Sequence, residues 1–429
     1  MCYAIPGKVI AVTNNIATVD YFGELRRAHV MDGIAQIGDY VYAQGGIVVE
    51  KISAADAIPV LEIWREQFFE LKKVDARLSS TSTKGNNTIA SLIAKAENGG
   101  NLNRNDMLAI LSAENRTNLE MIYTAANRTR RNRLDNACCV HGIIEFSNHC
   151  LNDCLYCGIR AGNKVLKRYR MSSEEIIDAA DHAIKLGFRS LVLQSGEDQY
   201  YTDAMLAAIV KEIHERHGVL LFVSIGERSK ECYRKLYESG AYGALIRFET
   251  SNKNIYERMR PGKKLQARLN LIRWLKEIGF ILATGFLISL PGQTQDDIIN
   301  DILLTKSLKP DMYSFGPLIP HLQTPLATIE KPNLSYILKV IALSRLVDPD
   351  AKILATTALE TLGPDAGAAG LLAGANSLMI DATPSKYRKL YDLYPGKTGT
   401  DESVEAMAEK TIKLLRSLGR APTDLGVLL

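Results

Sequence analysis

Apolar residues recur along this chain in two rhythms. Over residues 1 to about 52 they come as short β-branched and aromatic runs, at 8–12, 16–21, 25–30, 40–43 and 47–50, separated by turn residues such as Asn14-Asn15, Gly38-Asp39 and Gly45-Gly46. Five short strands in so small a unit predict a compact, OB-like β-barrel. Leu61, Trp64, Phe68 and Leu71 then follow at helical spacing, with Pro59 read into the first turn of their helix. The stretch from Ser79 to Asn87 is polar and without a period, as a linker would be. The predicted division is a small domain over 1–75, a linker over 76–90 and a large domain over 91–429.

The large domain opens with a helical stretch, about 88–142, and then alternates. Strand-like runs at 143–146, 190–194, 220–224, 244–249, 281–288, 312–315, 353–356 and 377–380 are separated by amphipathic stretches at 173–186, 205–216, 231–239, 266–278, 296–307 and 334–346. Eight such repeats in under 300 residues predict an α/β fold, a (β/α)8 TIM barrel with an N-terminal helical extension.

A barrel of this kind carries its chemistry at the C-terminal ends of its strands. Cys150, Cys154 and Cys157 follow the first run as Cys-x3-Cys-x2-Cys. Three thiolates can hold three irons of a cubic cluster and leave a fourth iron open, the arrangement that separates a catalytic metal site from a structural one. A zinc site is the alternative, and would take His149 or Cys139 as its fourth ligand. Gln194-Ser-Gly-Glu-Asp198 ends the second run, Ser224-Ile-Gly-Glu-Arg228 the third, Arg247 and Glu249 the fourth, and Thr356-Thr357 the seventh. Each alone is an ordinary turn or ion pair; together they predict one cavity. Tyr156 is placed to pack on a flat ring, and Pro291-Gly-Gln-Thr294 to bring backbone near a ligand.

Composition changes this little. Hydrophobic residues make up 46%, charged residues 23%, and the formal net charge is +4, ordinary for a globular protein. The run Arg128 to Arg133 has no interleaved aromatics, so it reads as a solvated helix face and no nucleic-acid partner is expected. No apolar stretch approaches a membrane span and no signal peptide is evident. Seven cysteines, three in a cluster array, fit a reducing cytoplasm.

The array with its aromatic, Cys-x3-Cys-x-Tyr-Cys, resembles the radical S-adenosylmethionine (SAM) superfamily. The segments IIEFSNHCLNDCLYCGIR, LVLQSGEDQYY, IRFETSN, LISLPGQTQDD, LATTALETL and TPSKYRKLYDLYPGK resemble the HydE family of [FeFe]-hydrogenase maturases. That resemblance implies a [4Fe-4S] cluster on the three cysteines and reductive cleavage of SAM to methionine and a 5′-deoxyadenosyl radical. It places SAM contacts at Tyr156, Gln194, Ser195, Glu249 and Arg268. It also places an inner pocket at Arg247, Met312, Thr356, Thr357, Met379, Tyr391 and Tyr394, for an iron–CO–cyanide unit. Other hydrogenase maturation proteins are the implied partners, with a ferredoxin or flavodoxin as electron donor. Three departures stand out: Phe248 where the family often has histidine, no cysteine after Cys232 for a second cluster, and an unusual Leu359-Glu360.

MCYAIPGKV and IGDYVYAQGGIVVEKIS resemble the HypC/HupF hydrogenase maturation chaperones, which implies that Cys2 can ligate an iron fragment. Two domains related to iron–CO–cyanide chemistry suggest that the small one delivers or receives a fragment at the barrel mouth. The alternatives are a radical SAM enzyme acting on a thioether, thiazolidine or amino acid, and a non-catalytic maturation scaffold.

Overall fold

The structure, a computed structural model, describes residues 4–31, 33–80, 88–423 and 427–428. Cys2 and most of the polar stretch before residue 88 lie outside them.

Strands Gly7–Thr13, Ile16–Tyr21, Glu24–Val30, Tyr40–Gln44 and Ile47–Ile52 pair antiparallel, the fourth crossing back to lie beside the first, and a parallel contact of His29 and Val30 with Ile47 and Val48 closes them into a barrel. Val9, Val19, Val41 and Val48 fill it, at the alternating positions their pattern dictates. Helix Ala54–Ser79 covers it with Trp64, Phe68 and Leu71, and is capped by Ser53, which accepts from Asp56 N at 3.1 Å. Pro59 sits past the first turn, where it has no N–H to give the Ala55 carbonyl.

Eight parallel strands form the large barrel: Cys139–Ser147, Ser190–Ser195, Leu220–Ser224, Gly243–Leu245, Ile281–Thr284, Met312–Tyr313, Leu354–Ala355 and Ser377–Asp381. A bridge between Tyr313 and Ile353 joins the sixth strand to the seventh and closes the ring. Ile143, Val192, Phe222, Ala283, Met312 and Leu354 pack together inside it. Their neighbours Ile144, Leu191, Leu193, Leu221 and Val223 face the surrounding helices. The run expected at 281–288 is two strands. A Cβ on Gly285 would lie 2.3 Å from the Ser314 carbonyl, and beyond it Leu287–Ile288 pairs with Gly316–Pro317 in a separate ladder.

The basic run is only in part a solvated face, with Asn132 and Arg133 exposed. Arg130 is fully buried in a two-pronged pair with Asp75, at 2.6 and 2.9 Å, and ties the small domain's helix to helix Arg116–Leu134. Arg128 and Arg133 pair with Glu97 and Asp350.

The small domain docks at the N-terminal end of the large barrel, opposite the mouth that the sequence suggested. The turn after Gln44 enters the base: a Cβ on Gly45 would lie 2.9 Å from Leu220 and 3.6 Å from Ile281, each the first residue of its strand. The Cys139 thiol donates to Gln44 Oε1 at 3.1 Å, and Arg189 pairs with Glu50 at 3.0 Å while stacking on Tyr42. Ile5 N donates to the Pro422 carbonyl, and Ala421 bridges Ala137 beside the first barrel strand.

Candidate active site

At the C-terminal ends of the strands lies a cavity of about 290 Å³. Its wall includes all three array cysteines, on the loop that follows strand Cys139–Ser147. Cys150 Sγ accepts from Glu197 N at 3.4 Å, which ties this loop to the end of the second strand. The contact is close: a Cβ on Gly196 would sit 2.2 Å from the His149 carbonyl and 2.7 Å from Cys150 Cβ. Burial first, then the neighbouring cysteines, push the Cys157 thiol well above its ordinary range. Thiols so placed ionise only with cationic charge beside them, and an iron–sulfur centre supplies it. Among the described residues no three Cys, His, Asp or Glu side chains converge on a single ion. Among those residues the zinc alternative has no assembled ligand set, and Cys139 is at the far end of its strand, on Gln44.

Gln194, Ser195, Glu249, Arg268 and Tyr156 all line the cavity. Glu249 is held in the left-handed region, φ 67°, where a non-glycine residue is strained. Its amide and that of Phe248 both donate to the Gly285 carbonyl. Arg268 lies in the first turn of helix Leu265–Ile278, with Nε 2.9 Å from Glu227 Oε1. Glu227 belongs to a network that the sequence pattern did not assemble. Its amide donates to Glu197 Oε1 at 2.9 Å, and Lys263 Nζ reaches Glu227 at 2.9 Å and Glu197 at 3.3 Å. Burial would raise the Glu227 carboxyl, but Arg268, Lys263 and Arg260 outweigh it and hold it below the usual range.

Deeper in, Arg247, Thr356, Thr357, Met379, Tyr391 and Tyr394 line the same cavity. Thr357 Oγ1 and Tyr394 OH are 2.7 Å apart, and Arg247 Nε is 3.7 Å from Glu249. Met312 is not among the lining residues. It packs in the barrel interior with Ile143 and Leu354, because its strand position faces the core one layer down. Phe248 and Leu359 are buried behind the wall, and Glu360 bonds Thr398. None of these three lines the cavity. The 291–294 segment is a turn: Gln293 bonds Leu287 O, and Thr294 caps helix Gln295–Leu308.

Glu145 and Lys397 also line the cavity, and no motif pointed to them individually. Lys397 bonds both Glu145 and Asp381. The available signal was an acid facing inward in the apolar run IIEFS, where burial demands a cation. Three buried polar atoms on the wall have no hydrogen-bond partner: Glu249 Oε2, Thr356 Oγ1 and Arg260 Nε. Atoms left unmatched by the protein in a cavity suit a polar ligand.

Residues 144–304 match the Radical SAM superfamily model, and residues 1–64 the HupF/HypC family model. The chain is 43% identical over 312 residues to the [FeFe] hydrogenase maturase subunit HydE of Thermotoga maritima, covering 73% of this chain and 89% of that one. The chain belongs to the radical SAM superfamily. It is a HydE-like radical SAM enzyme with an N-terminal HypC-like domain, and membership implies a [4Fe-4S] cluster and SAM. It is also 31% identical over 330 residues to 3-methylornithine synthase of Methanosarcina acetivorans, covering 76% of this chain and 91% of that one. A crystal structure of methylornithine synthase superposes with a TM-score of 0.70 at 26% identity, over 78% of this chain and 98% of that one. Among the described residues no helix is long and apolar enough to cross a membrane.

Proposed function

We propose that this HydE-like chain is a hydrogenase maturase that cleaves SAM and uses the resulting radical in assembling an iron–CO–cyanide cofactor. The observation that carries the reading is the joining, in one chain, of a HydE-like barrel and a HypC-like domain. Cys150, Cys154 and Cys157 would hold the cluster, which when bound supplies the electron that divides SAM into methionine and a 5′-deoxyadenosyl radical. Gln194, Ser195, Glu249 and Arg268 would hold SAM, with Tyr156 against it. Arg247, Thr356, Thr357, Met379, Tyr391 and Tyr394 would hold the iron-bearing substrate, the arginine and hydroxyls meeting its anionic groups.

Cys2 would carry or receive the iron fragment. The described part of the small domain docks at the base of the barrel, so the reading takes exchange to run to a partner maturation protein or another copy of the chain. Hydrogenase maturation in a cell-free mixture tests the whole reading. Omitting this chain should abolish the CO and cyanide infrared bands of the matured enzyme, and undiminished bands would refute it. The similarity to 3-methylornithine synthase favours one other reading, a small organic substrate. That reading gains if the bands persist and deuterium from an amino acid appears in 5′-deoxyadenosine.

A further inference from the structure

The strongest unexplained surface lies over the cysteine loop. Residues 150–170 carry Arg160, Lys164, Lys167, Arg168 and Arg170 against a single acid, Asp153. The three arginines are engaged: Arg160 with Asp153, Arg170 with Asp198, and Arg168 with main-chain carbonyls of Asn148, Ile159 and Asn163. Lys164 and Lys167 are exposed, and their ammonium groups have no ion pair or hydrogen bond among the described residues. Three large apolar side chains stand out of the same surface. Leu151 is 64% exposed, Val165 73% and Leu322 79%.

These residues form one face. Ala161 N donates to the Asn152 carbonyl at 2.8 Å, and Asn163 Nδ2 to Gln323 Oε1 at 3.0 Å. Leu151, Val165 and Leu322 each lie within two residues of one of those contacts. Leu151 itself lies between Cys150 and Cys154. An electron bound for a cluster on these cysteines would have its shortest covalent route through this loop.

We propose that this face is the docking surface for a small acidic protein that donates one electron at a time. The proposal rests on the reading of the cavity as a SAM-cleaving site. In each encounter the partner's reduced flavin or iron–sulfur group loses one electron and the cluster gains it; no bond is made between the proteins. A few apolar contacts ringed by unpaired lysines suit the small, transient interfaces typical of redox encounters. The lysines supply the steering and attract acidic partners. A symmetric contact with a second copy is disfavoured, because the two-fold axis would set Lys164 and Lys167 against themselves.

The test pairs Lys164→Glu/Lys167→Glu with the unaltered protein, using reduced flavodoxin as the probe. Flavodoxin binding is titrated on cluster-free protein at low and high salt. 5′-Deoxyadenosine is then measured on reconstituted protein, with flavodoxin or with dithionite as reductant. Charge reversal should weaken binding by about tenfold or more at low salt, with the gap closing at high salt. Flavodoxin-driven cleavage should fall in parallel, and dithionite-driven cleavage should be unchanged. Equal binding by both proteins, or equal losses with both reductants, would overturn the proposal. Lysine-dependent binding without SAM cleavage under any reductant would support the surface and count against the cavity reading.

Discussion

Lys397 Nζ lies 2.6 Å from Asp381 Oδ2 and also bonds Glu145, so one buried ammonium at the cavity wall serves two carboxylates. Removing it as Lys397→Met would leave two acids facing each other in a buried site. Breaking a buried pair from one side costs about 3–5 kcal/mol. Chemical unfolding of cluster-free protein should show a loss of that order. The double variant Lys397→Met/Glu145→Gln should recover part of it, and a single variant as stable as the parent would refute the account.

The same cluster sets a pH dependence. Burial first, then Asp381, pushes the Glu145 carboxyl up to about 8 from its usual 4.5, against the pull of Lys397. A raised folded value favours the protonated carboxyl in the native state. Its contribution to stability is therefore complete below about pH 4.5 and is lost as pH rises through about 8. Burial would raise Asp381 too, but Lys397 holds it low, so it contributes in the opposite sense and only at more acid pH. Thermal unfolding from pH 5 to 8.5 should slope downward more steeply in the parent than in Glu145→Gln. Parallel slopes would count against a raised Glu145 carboxyl.

Thr356 separates ligand binding from folding. Its hydroxyl is buried without a partner, although the residue stands at a helix N-terminus where a hydroxyl commonly caps. Thr356→Val keeps the shape and removes the polar atom. Cluster-free protein should be no less stable, since an unsatisfied hydroxyl costs about 1–3 kcal/mol. Binding of the cavity's ligand should weaken by about tenfold, for one lost hydrogen bond. A variant that is destabilised and binds normally would show a structural role instead.

The base of the barrel offers a further check. Gly45 adopts φ +65°, and a Cβ there would press on Leu220. Gly45→Val adds a branched side chain at a conformation it rarely adopts, at a cost of about 1–3 kcal/mol. Hydrogen exchange should rise at 44–50 and at the starts of the third and fifth barrel strands, with the mouth unchanged. Unaltered exchange at the base would show that the hairpin does not seal it.

Much of this architecture was legible in the sequence because period-2 and period-3.6 runs map directly onto buried faces. The eight strands follow their apolar runs, and the polar residues that end them meet in one cavity. The fifth run misled because an unbroken apolar stretch hides the break at Gly285, which depends on the Ser314 carbonyl of another strand. Met312 misled for a similar reason: its depth in the barrel follows from strand stagger, which no local pattern encodes. Lys397 and Glu145 are 252 positions apart, and only barrel closure brings them together. The solvated reading of Arg130 failed because its partner, Asp75, belongs to the other domain.

The central claim is that the three-cysteine cavity cleaves SAM. The direct measurement is 5′-deoxyadenosine formed from SAM by anaerobically reconstituted, dithionite-reduced protein, beside Cys150→Ala carried through the same procedure. The account expects 5′-deoxyadenosine and methionine in equal amounts from the parent and none above background from the variant. A cluster-loaded parent that leaves SAM intact, or a variant that cleaves it equally well, would contradict it.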